Sequence, residues 1–588
     1  MIVSYLDDVA DLARVCRTSR VLNYMTVPHL YNTITLTSYE DVRFRDDRPE
    51  GSGSASPFAM GLNALVTRNT AHLVRHLTLK GQWKEYDLEE YAKIGRVPDN
   101  AMMLNIAVRA ALERCTGLES FTWDLNTKLL PSVYGGLVNL PRLKNLRIRF
   151  PSSRTPRPTT TVPAMPSLEH ITITDIDPLC YQDDISMLLW AAKNIKRVTF
   201  HFSPRMREQN ELSVHGEAYF KRFFGSKKTW KPKHVAIHNL LMQPHEPGGM
   251  DDWIDSEGIE SITDIRGAQQ GAATSSSFFR DTWKTPPPNF KPKIIRTDCI
   301  HSSFPMFLEK YRGLERFYLI NEAPINLLAA PSTTHDPSSG TDGSPFSQMK
   351  TNMPSPTSTP TQRDPNSLLR DSYLNALINY HGASLVHLSL PSRWPLPLNM
   401  FSRLIRAAPN LTQLSVAVEP EAFAGLRLIL PFLQKLRVIR LLIPTEYDKL
   451  RYGCSSSHSF KEMIEQDDEV HIKVIGRELV DEDGSHVCER LKYAILGWKI
   501  FELGPIREVD IPVGEVSDGC SVQTLVDQAP SVRTNGYMNL IVNSQNAEKD
   551  RLAHAQTTQV KIRAVKRIPV ESVRDIEIII MDTYDIVP

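Results

Sequence analysis

The chain has 588 residues, 41% of them hydrophobic, with 68 basic against 67 acidic side chains. A formal charge of +1 excludes a protein-wide field for nucleic acid or anionic membrane, and the length allows several domains or one elongated array. The seven cysteines are scattered with no C-x-x-C, which argues against a disulfide framework or a zinc site and fits a reducing compartment.

The residues Met1 to Asp8 carry no basic region ahead of a long apolar run, so no secretory signal is expected. Asp8 is placed to cap a helix with Asp11 in its first turn. Leu12, Val15 and Cys16 then share one helical face, which Val21, Leu22 and Met25 continue. Pro28 is placed to start a third short helix carrying Leu30 and Tyr31, and Thr33 to Leu36 reads as a strand. Arg43 to Pro57 reads as a polar loop. Helices are expected over Phe58 to Val66, with Leu62, Leu65 and Val66 inward, and over Asn100 to Arg114, with Met103, Ile106, Ala107 and Ala110 inward.

A strand signature then recurs. In Leu143-Lys-Asn-Leu-Arg-Ile148 the spacing is L-x-x-L-x-L, so Leu146 and Ile148 point one way and Arg147 and Arg149 the other. The pattern begins at Leu118, Leu143, Leu168 and Ile195, at intervals of 25, 25 and 27 residues. It opens in Leu73 to Leu79 and returns at Leu314, Leu385, Leu411 and Leu436. A period near 25 with this signature predicts an α/β leucine-rich-repeat solenoid, or horseshoe, in which each repeat adds one short parallel strand. The outward positions expected to read a partner are Arg147 and Arg149, Glu169 and Thr172, Arg197 and Thr199, His387 and Ser389, and Gln413 and Ser415.

Between residues 201 and 300 the signature fades. Glu217 to Phe224 reads as a helix, and Lys233 to Ile237 and Lys293 to Arg296 as strands. His234 and His238 fall in the first of these strands, and with no third ligand evident a structural role is favoured over a metal site. Basic and aromatic residues interleave from Lys221 to Lys233, which suits either a nucleic-acid or acidic-peptide contact or, more simply, a solvated turn with buried rings. Pro331 to Pro365 is a Ser/Thr/Pro-rich insert with little that could fold. The repeats resume with a helix at Leu368, Arg490 to Leu503 reads as two strands about Gly497, and Ile576, Ile578 and Ile580 read as a strand capping the array's open edge.

Asp11-Leu-Ala-Arg-Val-Cys-Arg17 followed by Val27-Pro-His-Leu-Tyr-Asn-Thr-Ile-Thr-Leu36 resembles the second half of an F-box in fungal F-box/leucine-rich-repeat proteins. The leucine-proline start of that motif is not in the chain, and Ile2 to Leu6 stand where its first helix would end. Val565 to Asp585 also looks like the C-terminal close of that family. The resemblance implies a substrate receptor of a Skp–cullin–F-box ubiquitin ligase. The adaptor and its cullin scaffold would be held through Leu6, Leu12, Val15, Cys16, Leu22, Pro28, Leu30 and Tyr31, and an unidentified target protein would sit on the repeats. The expected organisation is 1–36 partial F-box helices, 37–330 a first repeat array, 331–367 the insert, 368–445 a second array, and 446–588 terminal repeats and cap.

No phosphate-cradling glycine loop, nucleophile elbow or H-E-x-x-H motif is present, so no enzymatic activity, cofactor or metal is expected. Neither nucleic acid nor membrane is an expected partner, and the expected location is cytoplasmic or nuclear. Two alternatives stay open: a repeat scaffold without a ligase role, and an enzyme within residues 445 to 588.

Overall fold

The structure, a computed structural model, describes residues 2–6, 8–39, 43–45, 48–51, 57–83, 99–150, 161–176, 185–202, 222–223, 229–238, 254–265, 289–298, 300, 302–320, 365–419, 426–442, 468–480, 487–512, 557–573 and 575–583. Of the expected insert, residues 331–364 lie outside these and Pro365 opens a helix, and most of the helix expected over Glu217 to Phe224 also lies outside them. The protein is α/β and divides into two compact units. One comprises Met1–Ile320, Ala383–Leu388 and Ile578–Pro588; the other comprises Asn321–Gly382 and Ser389–Glu577.

The first unit is built on a parallel ladder taken almost wholly in chain order. Its strands are β1 (Thr33–Ser38), β4 (His76–Gly81), β5 (Ser120–Leu125), β6 (Asn145–Arg149), β7 (His170–Ile176), β8 (Arg197–Phe202), β9 (His234–His238), β10 (Ser261–Ile265), β11 (Ile294–Thr297) and β12 (Arg316–Leu319). Omitted from this ladder are β2 (Arg43–Arg45) and β3 (Arg48–Gly51), which form a small antiparallel hairpin where a plain loop was expected. Each strand is level with its neighbour, as in Phe121↔Leu146 and Leu146↔Ile171, so the alternating apolar residues stack into continuous columns. Trp123, Ile148, Ile173 and Phe200 form one such column and are buried.

Every strand that the recurring signature predicts is present. Where the signature fades, β9 and β11 stand where strands are expected over Lys233 to Ile237 and Lys293 to Arg296, and β10, which was not expected, lies between them. There Pro232 and Pro292 replace the leading leucine, and Asp264 occupies the second inward position of β10. The backbone continues the ladder through these substitutions because its hydrogen bonds do not depend on side-chain identity.

The return segments include the helices Pro57–Thr67, Asp99–Arg114 and Pro131–Val138. Phe58, Leu62 and Leu65 face inward as the periodicity requires. On Asp99–Arg114 the expected inward face is corrected. Met103 and Ile106 are exposed, and Leu104, Val108, Ala111 and Leu112 are buried instead. The physical reason is Asn105. Its amide donates to the Ala101 and Lys128 carbonyls and its oxygen accepts from the Leu130 N–H, tying the neighbouring turn to this face. A satisfied amide can be buried where an unsatisfied one cannot.

At the N-terminus a 3-10 turn, Ile2–Tyr5, leads into helices Val9–Cys16 and Arg20–Leu30. Asp8 caps the former through the Ala10 N–H, and Ser19 caps the latter through the Leu22 N–H. Pro28 does not open a third helix. Ser19 starts the second helix early enough that Pro28 falls in its last turn.

The second unit holds helix Pro365–Ala376, helix Leu398–Ala407, and the strands β14 (Gln413–Ala417), β15 (Val438–Leu442), β16 (Tyr493–Leu496), β17 (Lys499–Pro512) and β18 (Thr557–Ile568). The strand β13 (His387–Ser389) has most of its length in the first unit. Parallel pairing ends at β16, after which β17 and β18 run antiparallel. Gly497, at φ +60°, supplies the left-handed residue of the two-residue turn between β16 and β17. The edge expected to be closed by an isoleucine strand is thus taken by this long hairpin, and Glu577–Ile580 is a short helix. Ile578 and Ile579 are both buried, which a helical turn permits and strict strand alternation does not.

Arg563 of β18 donates to the carbonyls of Gly504, Cys488 and Leu491 and is buried. Burial pulls its pKa below the usual guanidinium value.

These packing assignments predict unequal costs on the helix Asp99–Arg114. In urea unfolding of the full chain, Leu104→Ala is expected to cost about 2–5 kcal/mol. Met103→Ala and Ile106→Ala should stay within about 0.5 kcal/mol. Equal losses at Leu104 and Ile106 would contradict the observed face.

Candidate protein-interaction surfaces

Two surfaces of the first unit stand out, and both follow from how the elements place their side chains. On the N-terminal helices, Leu12 is buried, while Leu6, Val15, Cys16, Leu22, Leu30 and Tyr31 are half-buried. Of the residues expected to contact an adaptor, only Pro28 is exposed. The outward side instead presents Tyr5, Val9, Val21, Tyr24 and Met25, with Val21 68% and Tyr24 75% exposed. Val21, Tyr24 and Met25 stand at i, i+3 and i+4 on one face of the second helix, the kind of exposed apolar stripe that marks a contact surface. Sequence periodicity finds the seam between the helices. It cannot distinguish that seam from a second apolar stripe turned outward, although the adjacent pair Val21-Leu22 signals that both sides are apolar.

The second surface is the polar face of the parallel ladder. Register places its residues in level rows. One row contains His76, Ser120, Asn145, His170, Arg197, His234 and Ser261, and a second contains Thr78, Thr122, Arg147, Thr172, Thr199, Ala236 and Thr263. Arg149 belongs to a third row, where it donates to Asp175 at 2.7 Å, and His201 contacts the same carboxylate at 3.4 Å. Burial raises the pKa of Asp175, but His201 and Arg149 outweigh it and hold the carboxyl below its ordinary value.

Glu169 is not on this face. It precedes β7, in a line of residues at the entrance of each strand, and pairs with Lys196 at 2.6 Å. Lys233 with Glu260 at 2.8 Å, and Lys293 with Glu315 at 4.0 Å, repeat that arrangement. The residue that faces outward is His170, because Glu169 has the same parity as the buried Ile171 and Ile173.

The histidines at 234 and 238 lie on strand β9, about 13 Å apart along the chain. His238 is buried with its ring 6.3 Å from that of His201. Of the interleaved basic and aromatic residues, Phe223 and Trp230 are buried, Phe223 against Trp190, and Lys231 pairs with Asp255. Those rings belong to the core. Lys221, Phe224, Lys227 and Lys228 lie outside the described residues.

Outward positions of the later strands are covered. His387 bonds Tyr318 at 2.7 Å within the first unit, and in the second unit Ser389 and Ser415 are buried and Gln413 donates to the Asp575 carbonyl. Arg296 of β11 donates to the carbonyls of Met581 and Thr583, so the C-terminal residues occupy the polar face there. Thus, of the outward positions expected from sequence, Arg147, Arg149, Thr172 and Arg197 keep partial access, Thr199 is buried, and those from β13 onward are covered. Among the described residues no three or more His, Cys, Asp or Glu side chains gather as a metal site, and no helix is long and apolar enough to cross a membrane.

His170 and His234 are half-buried, and burial first, then the charge of Arg197, pulls both below the ordinary histidine pKa. The unfolded chain therefore takes up these protons first as pH falls through about 6.5. Their stabilising contribution is full above that pH and declines below it, until the lower folded-state values are reached. In thermal unfolding followed from pH 7.5 to 5.5, His170→Gln with His234→Gln is expected to flatten the decline in midpoint; an unchanged slope would show that these rings do not sense the folded environment.

Neither family models nor curated proteins give a match to this chain.

Proposed function

We propose that this protein is a leucine-rich-repeat substrate receptor of a Skp–cullin–F-box ubiquitin ligase. Its N-terminal helices hold the adaptor and its repeat face holds a target protein. The observation that carries this reading is the apolar outward side of the helices Val9–Cys16 and Arg20–Leu30, attached directly to the start of a parallel ladder. The sequence resemblance of these helices to the second half of an F-box supports the same assignment. The adaptor contact moves, however, from the packed residues Leu12, Val15 and Cys16 to Val9, Val21, Tyr24 and Met25.

The solenoid reading is supported by the strand order and by the level register of successive repeats. Such a receptor performs no bond chemistry. It raises the effective concentration of the target beside the transferring enzyme, a gain set by geometry rather than by new contacts.

The test is capture of the full chain by purified Skp adaptor. Wild type is expected to bind, and Val21→Asp with Tyr24→Asp is expected to weaken capture by about tenfold or more, because a charge placed in an apolar interface must be desolvated. Circular dichroism should be unchanged, since both residues are exposed. Failure of the wild-type chain to bind would remove the ligase assignment and leave a repeat scaffold as the better account.

A further inference from the structure

The strand β18 is paired with β17 on one side and, among the described residues, with no strand on the other. An unpaired edge presents a row of N–H and C=O groups ready to accept another strand. Folded proteins ordinarily blunt it by keeping the strand short, by a proline or bulge, or by a cover. β18 has 12 residues, whereas the longest strand of the parallel ladder, β7, has 7. It contains no proline, and the register shift of the hairpin puts the extra residue on β17, between Leu503 and Ile506.

The helix Asp468–Glu478 packs on one face of this hairpin and touches both strands. Asp468 reaches Lys499 at 2.9 Å and Arg567 at 3.5 Å, His471 lies against the ring of Phe501, and Gly476 sits over Val565 and the Arg563 carbonyl. Contacts shared between the strands place the helix over the sheet rather than beside its edge. Of the side chains from Val560 to Ile568 only Arg563 is buried, whereas every side chain of β14, within the sheet, is buried.

Charge decides what this edge can accept. Between Thr557 and Ile568 stand Lys561, Arg563, Lys566 and Arg567 and no acidic residue. Arg563 is engaged by carbonyls and Arg567 by Asp468, while Lys561 and Lys566 are exposed. On the β17 side the two lysines stand opposite Glu508 and Glu502. A strand added on the other side continues that alternation by bringing acids to the same levels, since like charges set opposite one another across strands destabilise a sheet. A second copy of this chain does not meet the condition, because pairing β18 with β18 sets cations beside cations. The lysines thus guard the edge against self-association and leave it open to a segment of opposite charge.

We propose that the open edge of β18 takes up an extended acidic segment of a partner protein as one more strand of the sheet. Main-chain hydrogen bonds supply the affinity of such an added strand, and the side chains beside it supply the choice of partner. The inference rests neither on the adaptor contact nor on the polar face of the ladder.

The experiment measures fluorescence polarisation of the full chain with labelled degenerate peptides of the same length as β18. One library is built from Glu, Thr and Val, a second from Lys, Thr and Val, and a third is the Glu library N-methylated at every residue. The Glu library is expected to bind and the Lys library not to bind. The N-methylated library should lose binding, because it keeps the charge but has no N–H to pair. Lys561→Gln with Lys566→Gln is expected to weaken binding about threefold to tenfold, whereas Lys310→Gln, an exposed lysine of the first unit, should have no effect. Should the paired variant fail to fold by thermal melting, the N-methylated library on wild type still decides. No binding of the Glu library, equal binding of the Lys or the N-methylated library, or indifference to the folded paired variant would each overturn the proposal. Sedimentation of wild type as a dimer that the Glu library dissociates would overturn it too, by assigning the edge to a second copy.

Discussion

The architecture depends on one backbone arrangement repeated along the chain. At the entrance of each strand a single carbonyl accepts two successive N–H groups from the next repeat. Arg75 accepts from Glu119 and Ser120, Glu119 from Lys144 and Asn145, Lys144 from Glu169 and His170, and Glu169 from Lys196 and Arg197. The series continues through Lys196, Lys233, Glu260, Lys293 and Glu315 in the first unit, and through Thr412 and Arg437 in the second. Each bifurcated carbonyl fixes the level at which the following strand begins. With the level fixed, inward residues must stack on inward residues, since a one-residue slip would turn every side chain to the wrong face. The hydrophobic columns, the polar rows and the line of entrance charges are all consequences of that fixed start.

This explains which parts of the fold were legible in the sequence. Wherever a leucine or isoleucine occupied the leading position, the spacing alone located the strand, as at Leu143 and Leu168. Where Pro232 and Pro292 stood in place of the leading leucine the strands were still legible from their own alternation but not as repeats, and where Asp264 took an inward position β10 was not legible at all, although the backbone step continued. A second signal was present and unread. The residues at the strand entrance include Glu169, Lys196, Lys233, Glu260, Lys293 and Glu315, and their ion pairs run directly through the weak interval. Reading that line would have placed β10 between the expected strands β9 and β11 and kept Glu169 off the outward face. The helix Asp99–Arg114 was misread for a different reason: Asn105 belongs to the core by virtue of bonds to Lys128 and Leu130, which local periodicity cannot contain.

The candidate surfaces were legible only in outline. Sequence placed the partner face on the outward strand positions and the adaptor contact on the N-terminal helices. Which residues remain accessible depends on tertiary packing. Leu12 is consumed by the helices' own packing, Gln413 by Asp575, and Arg296 by Met581 and Thr583. What these contacts leave is a short, partly accessible stretch over β6 to β8 that includes Arg147, Arg149, Thr172 and Arg197.

The bonds from Arg296 to Met581 and Thr583 span 285 and 287 residues of sequence. During synthesis the ladder can grow strand by strand, each new repeat completing the one before it. Arg296 is an exception, because the carbonyls that satisfy its donors lie 285 and 287 residues further along the chain. The first unit therefore begins folding early and makes this contact only after that much more chain has been synthesised, and a chain cut before Met581 leaves the buried Arg296 without these acceptors far upstream.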